Sequence, residues 1–490
     1  MFLKNILKTK KVAKKFHRFA SYKSAIVGKN LKENDTRVCY NFITKRGGLH
    51  TGYGFSNLVL PVEEGSATTR EVFVGNAEKC ELWHFHAYSS TNGTHIDKVF
   101  FTMVDGNLGY FDVFGYNQNA VSLETEFSSP PAGICFTADD EDAILFSTDT
   151  GLMRFALGKT STQTAVLPRF VDLCSAHGRL FGVVSGRQNK ILFSKILDPS
   201  LWTAEEDSIL LDELQGPCNK LIYFEDEIFA FRDYGVTKIS EYGIAREFVL
   251  YDVFATKSKI FGKTVVRCGE EVLFLASDGL YTFNGATAKQ ILPLLSGYLD
   301  GVTNENSVAC FDGENYYLAC RLNFNDTQTV GAEGYEGGFK NNALVVFNVQ
   351  TENAHIMRGM DIRSLLAVNA GNVCKVFATF FGEHAAKIGL LDMSGAIFGQ
   401  NLPKVWKSKM ESFGTPEKIK NFKQVVFDAP KDCILTIKTD LEQQSFVVVG
   451  GDCLQQISTF MRGKKFRLEF FAEAQAEIYP AKVVYEEIKE

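Results

Sequence analysis

The chain has 490 residues, with 52 Lys and Arg, 58 Asp and Glu, and a net charge of −6. Its 42 Phe and 17 Tyr favour β structure, because aromatic rings fit a pleated, half-buried surface better than a helix. No run of about 18 apolar residues exists, and the basic start is not followed by the apolar stretch of a secretory signal. We therefore expect no membrane contact, and two to four domains or one large β domain with a smaller neighbour.

Charge is distributed unevenly along the chain. Residues 1–46 hold 13 Lys and Arg against Glu33 and Asp35, so this segment carries +11 and the remainder must carry −17. An acidic body repels itself and stays soluble, and its surface should not hold DNA, whereas the basic segment could.

The first predicted element is a short basic amphipathic helix over residues 1–23. Apolar residues recur at helical spacing (Phe2, Leu3, Ile6, Leu7, Phe16 and Phe19), with basic residues between them. Two interpretations stay open: the helix packs on its own body, or it is an arm that grips a partner or nucleic acid. In the second interpretation, the partner-binding residues are Lys10, Lys11, Lys14, Lys15 and Arg18. This interpretation also predicts that deleting the arm leaves the thermal midpoint of the folded body nearly unchanged.

After the arm, short apolar strands alternate with tight turns. Hairpin patterns cover 98–115, 142–158, 178–196, 220–240, 270–285 and 341–357. The turn markers Asp105, Asp149, Gly186, Asp233 and Asp278 are spaced by 44, 37, 47 and 45 residues. A period of this size, built from short strands, is typical of a β-propeller, here of about six to seven blades over residues 47–402. Tandem β-sandwiches and a β-solenoid are the alternatives, and a Gly-rich segment (325–342) interrupts the period.

The repeat ends near Pro403. Five strand-like pieces follow in fewer than a hundred residues: NFKQVVF, CILTI, SFVVVGG, KKFRLEFFAE and AKVVYEE. They predict a C-terminal β-sandwich-like region. The domains are thus a basic arm (1–46), a β-propeller (47–402) and a C-terminal β-rich domain (403–490), an all-β protein apart from the arm.

The eleven cysteines are widely spaced, odd in number and without a Cys-x-x-Cys motif. Most lie in apolar runs, such as VACF around Cys310, so we expect buried free thiols and synthesis in a reducing cytosol.

Motifs of catalytic chemistry are scarce. The sequence contains no Gly-rich nucleotide loop, Gly-x-Ser-x-Gly elbow or His-Glu-x-x-His motif. A sialidase-like Ser-x-Asp-x-Gly-x-x-Trp repeat is half matched by Ser147, Asp149 and Gly151, but Arg154 occupies the Trp position. We therefore predict that the protein is not an enzyme.

His84 and His86, with His95 nearby, form the best metal candidate. Alternation along a strand places His84 and His86 on one face, as a shared metal requires. Because the sequence identifies no third ligand, it favours two strand residues that face a groove. We predict no metal and no cofactor.

Three segments together resemble a family of tailed-bacteriophage propeller proteins. Residues 189–240 begin with NKILFSKILDPSLW, which is similar to the family's F/Y-S-x-x-x-D-P-x-x-W strand and turn. CGEEVLFLASDGLYTFNG (268–285) resembles a blade of the same proteins, and GGLHTGYGF (47–55) resembles their first strand. The Asp198, Pro199 and Trp202 element is more specific than the Asp-Gly hairpins.

The resemblance implies a non-enzymatic structural virion protein of the head–tail junction or tail hub, of the head-closure (packaged-DNA stabilisation) or tail-nozzle type. It would be made in the cytoplasm of the host bacterium and assemble as a ring below the portal, where it retains or conducts packaged DNA. Its partners would be portal, adaptor and other tail proteins, and an acidic channel lining would let DNA slide. The alternatives are a receptor- or glycan-binding propeller of the phage tail, with Trp83 and Trp202 as its only plausible aromatic platforms, and a cytosolic WD40-like scaffold.

Overall fold

The protein is described by a computed structural model that covers residues 10–15, 19, 22–23, 36–61, 67–72, 80–89, 93–102, 108–113, 118–121, 129–138, 141–156, 162–202, 208–242, 247–324, 337–370 and 373–488. Within these residues the structure is almost entirely β. Helix is confined to α1 (Ser296–Leu299) and to 3-10 turns at Gly262–Thr264 and Gly382–His384. No helix in the described part of the chain is long and apolar enough to cross a membrane.

Eight short strands precede the repeat. They are β1 (Lys10–Lys15), β2 (Tyr22–Lys23), β3 (Thr36–Tyr40), β4 (Phe42–Lys45), β5 (Gly48–Thr51), β6 (Gly54–Asn57), β7 (Val59–Pro61) and β8 (Thr69–Glu71).

Three antiparallel sheets follow in chain order. The first contains β9 (Leu82–Ser89), β10 (Thr94–Thr102), β11 (Leu108–Asp112) and β12 (Gln118–Val121). The second contains β13 (Ala132–Ala138), β14 (Glu141–Thr148), β15 (Gly151–Ala156) and β16 (Thr162–Ala165). The third contains β17 (Phe170–Ala176), β18 (Arg179–Val184), β19 (Lys190–Lys195) and β20 (Asp198–Trp202), with β21 (Ile209–Leu210) beside β19.

Four further sheets complete the repeat. The fourth contains β22 (Cys218–Phe224), β23 (Glu227–Arg232), β24 (Gly235–Tyr242) and β25 (Glu247–Ala255), and the fifth β26 (Val266–Cys268), β27 (Glu271–Ala276), β28 (Gly279–Phe283) and β29 (Ala288–Ile291). The sixth contains β30 (Val308–Phe311), β31 (Asn315–Cys320), β32 (Ala343–Asn348) and β33 (Asn353–Arg358). The seventh contains β34 (Ile362–Ala370), β35 (Val373–Phe380) and β36 (Ile388–Asp392), which β6 extends; β37 (Ala396–Ile397) and β38 (Gln400–Asn401) follow β6.

Apolar clusters join each sheet to the next. Phe231 and Phe274, for example, pack between the fourth and fifth sheets with ring centroids 5.4 Å apart. The seventh sheet packs on the first in the same way, with Phe377 against Phe111 at 5.4 Å. The prediction of a β-propeller-type all-β fold is confirmed, with seven repeating sheets.

The turn markers occupy one structural position. Asp149, Gly186, Asp233 and Asp278 each lie between the second and third strands of their sheets, and Asp105 lies outside the described residues. The Gly-rich segment falls at the same position of the sixth sheet, between β31 and β32. An insertion there explains why the sequence period is lost after Asp278.

The seventh sheet takes its fourth strand from near the start of the chain. β6 pairs antiparallel with β36, so Gly54 lies opposite Asp392. The buried Asn41 supports this seam, because its side-chain amide donates to the Pro403 carbonyl at 2.7 Å and its side-chain oxygen accepts from the Arg358 backbone N–H at 2.6 Å.

The C-terminal region is a β-sandwich, as predicted. Its strands are β39 (Lys404–Ser408), β40 (Lys420–Phe427), β41 (Cys433–Thr439), β42 (Gln443–Val448), β43 (Gln455–Ser458), β44 (Arg462–Gly463), β45 (Phe466–Ala472), β46 (Glu477–Ile478) and β47 (Lys482–Glu487). One sheet has the order β1-β47-β40-β43; the other runs β39-β45-β41-β42 and joins the sixth sheet through β3. Buried and partly exposed residues alternate strictly in β41 and β45. One face of the second sheet therefore packs into the core between the two sheets.

The predicted N-terminal helix is wrong over Lys10–Lys15. These residues form β1, which pairs antiparallel with β47, with Lys10 opposite Glu487 and Lys11 opposite Glu486. Strand pairing with β47 satisfies the backbone hydrogen-bonding groups of this segment, and this tertiary gain outweighs a local helical periodicity. Phe19 is buried in the same region.

Candidate functional site

The predicted partner-binding residues do not form one exposed basic helix. Lys10, Lys11, Lys14 and Lys15 lie within β1, and Arg18 lies outside the described residues. β1 is therefore built into the C-terminal sheet, while β2 pairs with β33 of the sixth sheet. The role of the arm as a partner-binding element stays a prediction.

The first strands of the seven sheets surround a central cavity of about 910 Å³. Its charged lining residues are of both signs: Glu81, Arg169, Asp172, Lys220, Asp233, Lys259, Lys263, Glu305 and Arg363. Many are paired, as in Lys220 with Asp172 and Lys259 with Glu305, both at 2.8 Å. The lining is therefore mixed and internally neutralised, whereas the sequence suggested an acidic channel.

An ion pair crosses this cavity. Lys263, in the turn before β26 of the fifth sheet, contacts Glu81, which precedes β9 of the first sheet. The major groove of DNA alone is about 12 Å wide. A cavity bridged by this pair leaves no passage for a duplex.

The elements that suggested other functions have structural roles. The Trp202 indole N–H donates to the Pro199 carbonyl at 2.8 Å, and its ring stacks on Phe170 at 5.1 Å. Trp83 packs edge-on against Phe146 at 5.3 Å. The Ser147 hydroxyl accepts the Phe170 backbone N–H at 2.8 Å. The two contacts of Trp202 explain the Asp-Pro-x-x-Trp element as a turn-forming motif of the third sheet.

The cysteines follow the sequence expectation. Eight of the eleven are buried and all are free thiols; Cys135 is partly buried, and Cys374 and Cys453 are exposed. Burial raises the pKa of the Cys39 and Cys218 thiols to about 12, so these groups are unreactive packing residues at neutral pH.

The histidine candidate gains the ligand that the sequence lacked. His84 and His86 point to one face of β9, and the register of β10 places Asp97 opposite His86. Oδ1 of Asp97 lies 2.8 Å from both His84 Nε2 and His86 Nδ1. Burial of the imidazole lowers the pKa of His84, an effect that the neighbouring Asp97 carboxylate opposes. The three side chains form a cluster with the ligand types of a transition-metal site.

A pocket of about 390 Å³ opens beside this cluster. His86, Cys135 and Asp142 line it, together with Leu197 from the turn between β19 and β20. Asp142 is held in place by the Thr137 hydroxyl at 2.6 Å and by the Tyr88 backbone N–H at 2.9 Å. The hydrogen bonds that Asp142 accepts lower its carboxyl pKa, Thr137 first among them.

A second surface lies on the outward face of the C-terminal sheet. Phe471, Ile434 and Val447 occupy successive strands opposite one another and form an apolar row across β45, β41 and β42. Val447 is 80% exposed, and β42 is the last strand of its sheet within the described residues. Leu441 and Val449, at the two ends of β42, are also exposed. We call Phe471, Ile434, Leu441, Val447 and Val449 the edge surface.

A groove of about 300 Å³ crosses this face. Ile434 and Phe471 line it together with four charged residues: Lys407, Lys438, Arg467 and Glu469. An apolar row with charged side chains beside it on the same face is typical of a protein-binding patch. This groove was not predicted from the sequence. One signal was present: the run SFVVVGG lacks the alternation of apolar and polar residues expected of a strand with one solvated face.

Comparison with known proteins assigns no function. No protein-family profile and no curated protein matches the chain. BamB from Moraxella catarrhalis is 10% identical over 72% of this chain and 95% of its own, with a TM-score of 0.37. BBS1N, solved in complex with ARL6DN, is 9% identical over 71% of this chain and 98% of its own, with a TM-score of 0.44. The extracellular domain of the putative one-component system BT4673 from B. thetaiotaomicron is 10% identical over 93% of this chain and 64% of its own, with a TM-score of 0.40.

Proposed function

We propose that this protein is a non-enzymatic structural component that acts by binding other proteins, as part of a bacteriophage virion at the head–tail junction or tail hub. The observation that carries protein binding is the edge surface, which leaves an apolar row open at the end of a sheet. The residues 47–55, 189–240 and 268–285 support the phage assignment through their resemblance to tailed-phage propeller proteins.

The occupant of the edge surface in this proposal is a second copy of the chain. An open strand edge offers unpaired backbone N–H and C=O groups, and natural proteins normally protect such an edge with charge, Pro or a covering segment. Here Val447 and Val449 stand at the edge, and the strand itself carries no charge. A head-to-tail contact places this edge against a different surface of the next copy, and it closes into a ring when the rotation between copies completes a full turn.

Packaged DNA would then pass through the ring of copies and not through any single propeller. The Lys263–Glu81 ion pair across the central cavity supports this arrangement, since it leaves no passage for a duplex within one copy. The acidic remainder of the chain would face DNA without binding it tightly, because like charge keeps the phosphate backbone at a distance.

Self-association tests the contact directly. We expect the purified chain to form a closed oligomer by mass photometry, and we expect Val447→Lys to weaken that association at least about tenfold, or about 1.4 kcal/mol. The matched control is Val166→Lys, since Val166 is 85% exposed outside the C-terminal sheet. A monomeric wild-type protein, or equal effects of the two variants, would refute the proposed contact.

The position in the particle needs a separate experiment. Immunogold electron microscopy of phage particles with antibody against this chain should label the head–tail vertex. Label at the distal tip would favour receptor binding, and particles without label would refute the virion assignment.

A further inference from the structure

We propose that His84, His86 and Asp97 form a binding site for a divalent first-row transition metal, such as Zn²⁺ or Co²⁺, with an open coordination position beside the adjoining pocket. The proposal is independent of the virion assignment. It rests on the positions of three ligand atoms and on the support that surrounds them.

The ligand atoms are already gathered. His84 Nε2, His86 Nδ1 and Asp97 Oδ1 lie within 4.8 Å of one another, and the carboxylate oxygen is 2.8 Å from each nitrogen. Two metal–ligand bonds of about 2.1 Å span roughly 3.0 Å at a right angle and about 3.4 Å at the tetrahedral angle. For a metal to bind, the distance from Asp97 Oδ1 to each histidine nitrogen must increase by only a few tenths of an ångström. The two histidine nitrogens must at the same time approach each other.

The ligands differ in their freedom to make this adjustment. The Asp97 side chain is 6% exposed and fixed at the base of the site, whereas the His86 side chain is 49% exposed. Rotation of His86 can close the site without disturbing the sheet. Two imidazoles and one carboxylate favour Zn²⁺, Co²⁺ or a similar ion over Mg²⁺ or Ca²⁺, which prefer oxygen ligands.

His95 supplies support outside the ligand set. Its Nδ1 lies 3.3 Å from His86 Nε2, and the two rings are stacked with centroids 5.1 Å apart. Without metal, His84 Nε2 and His86 Nδ1 each donate a proton to Asp97 Oδ1, and His95 donates to His86 Nε2. With metal, each ligating nitrogen presents a lone pair, so the proton of His86 lies on Nε2 and is donated to His95 Nδ1, while the proton of His95 lies on its own Nε2.

The contact between His86 Nε2 and His95 is the feature expected of a metal-bound histidine, because the ring nitrogen that does not bind the metal is normally held by a hydrogen bond. Three protein ligands with a partly exposed histidine leave a position for water. The pocket beside His86 gives that position access to solvent or to a small ligand.

Titration of the full chain with Co²⁺ tests the site. After treatment with a chelator and dialysis, the wild-type protein should bind one equivalent by calorimetry and show the visible absorption of a coordinated cobalt ion; Zn²⁺ should displace it. His86→Gln and Asp97→Asn should each weaken binding by at least the roughly 10–100-fold that the loss of a mere supporting residue costs.

His177→Gln is the matched control, because His177 is an exposed histidine in a turn of the third sheet. It should bind Co²⁺ like the wild type. Since His86 is half exposed, His86→Gln should fold normally, and unchanged circular dichroism would show this. Absence of binding by the wild type, or equal binding by wild type, His86→Gln and Asp97→Asn, would overturn the proposal.

Discussion

Phe19 offers the sharpest test of how the N-terminal segment is used. Its side chain is only 3% exposed and lies edge-on to Trp406 at 4.7 Å and to Phe470 at 5.9 Å. Its backbone N–H donates to the Gly47 carbonyl at 3.0 Å. These contacts tie residue 19 to the core of the C-terminal sandwich, whereas a free docking arm would contribute nothing to stability.

Truncation of Phe19 to Ala removes a buried ring and leaves a cavity. Phe→Ala changes in protein cores cost about 3–5 kcal/mol, and two edge-on aromatic pairs place this site in that range. We expect urea unfolding of the C-terminal region to shift by this amount. Hydrogen exchange of peptides over β39 and β45 should accelerate, while peptides of the second and third sheets keep their protection.

Phe460→Ala is the matched control, because Phe460 is 80% exposed in the same region. Its effect should stay within about 0.5 kcal/mol. If Phe19→Ala and Phe460→Ala behave alike, Phe19 is not part of the core, and the hypothesis of a dispensable arm returns.

Two further predictions concern the seam and acid stability. A Cβ at Gly54 would overlap the Ala396 backbone, so Gly54→Ala should destabilise the seventh sheet by about 1–3 kcal/mol or more. Faster hydrogen exchange of β36 peptides would reveal this loss, and unchanged exchange would contradict the pairing of β6 with β36. Burial lowers the pKa of His355 to about 4 from 6.5, so stability is intact above pH 6.5 and falls as pH drops towards 4, by at most about 3 kcal/mol. His355→Gln should flatten this part of the urea-unfolding profile between pH 7 and 4, and an equally steep profile would show that other groups control it.

Local rules allowed much of the fold to be predicted from the sequence. Turn pairs such as Asp278-Gly279 fix a hairpin through their own backbone preferences, and alternation within CILTI fixes which face of β41 is buried. Because these signals act over a few residues, strand positions, the repeat and the C-terminal sandwich followed from the sequence. The histidine pair on one face of β9 followed from the same alternation.

Tertiary structure decided which distant segments pair. β6 joins β36 across more than 300 residues, and β1 joins β47 at the far end of the chain. No local pattern specifies these partners, since any edge strand can satisfy another. The local pattern of Lys10–Lys15 therefore predicts a helix, although the segment forms a strand in the folded chain.

The candidate metal site shows the same division. Asp97 becomes its third ligand only through the register of β9 and β10, and a shift of one residue would turn it to the opposite face. The edge surface likewise depends on which strand ends the sheet. The sequence alone determined the hairpins and strands whose signals are local. The strand Lys10–Lys15, the ligand set and the open edge depend on long-range pairing, which only the folded chain determines.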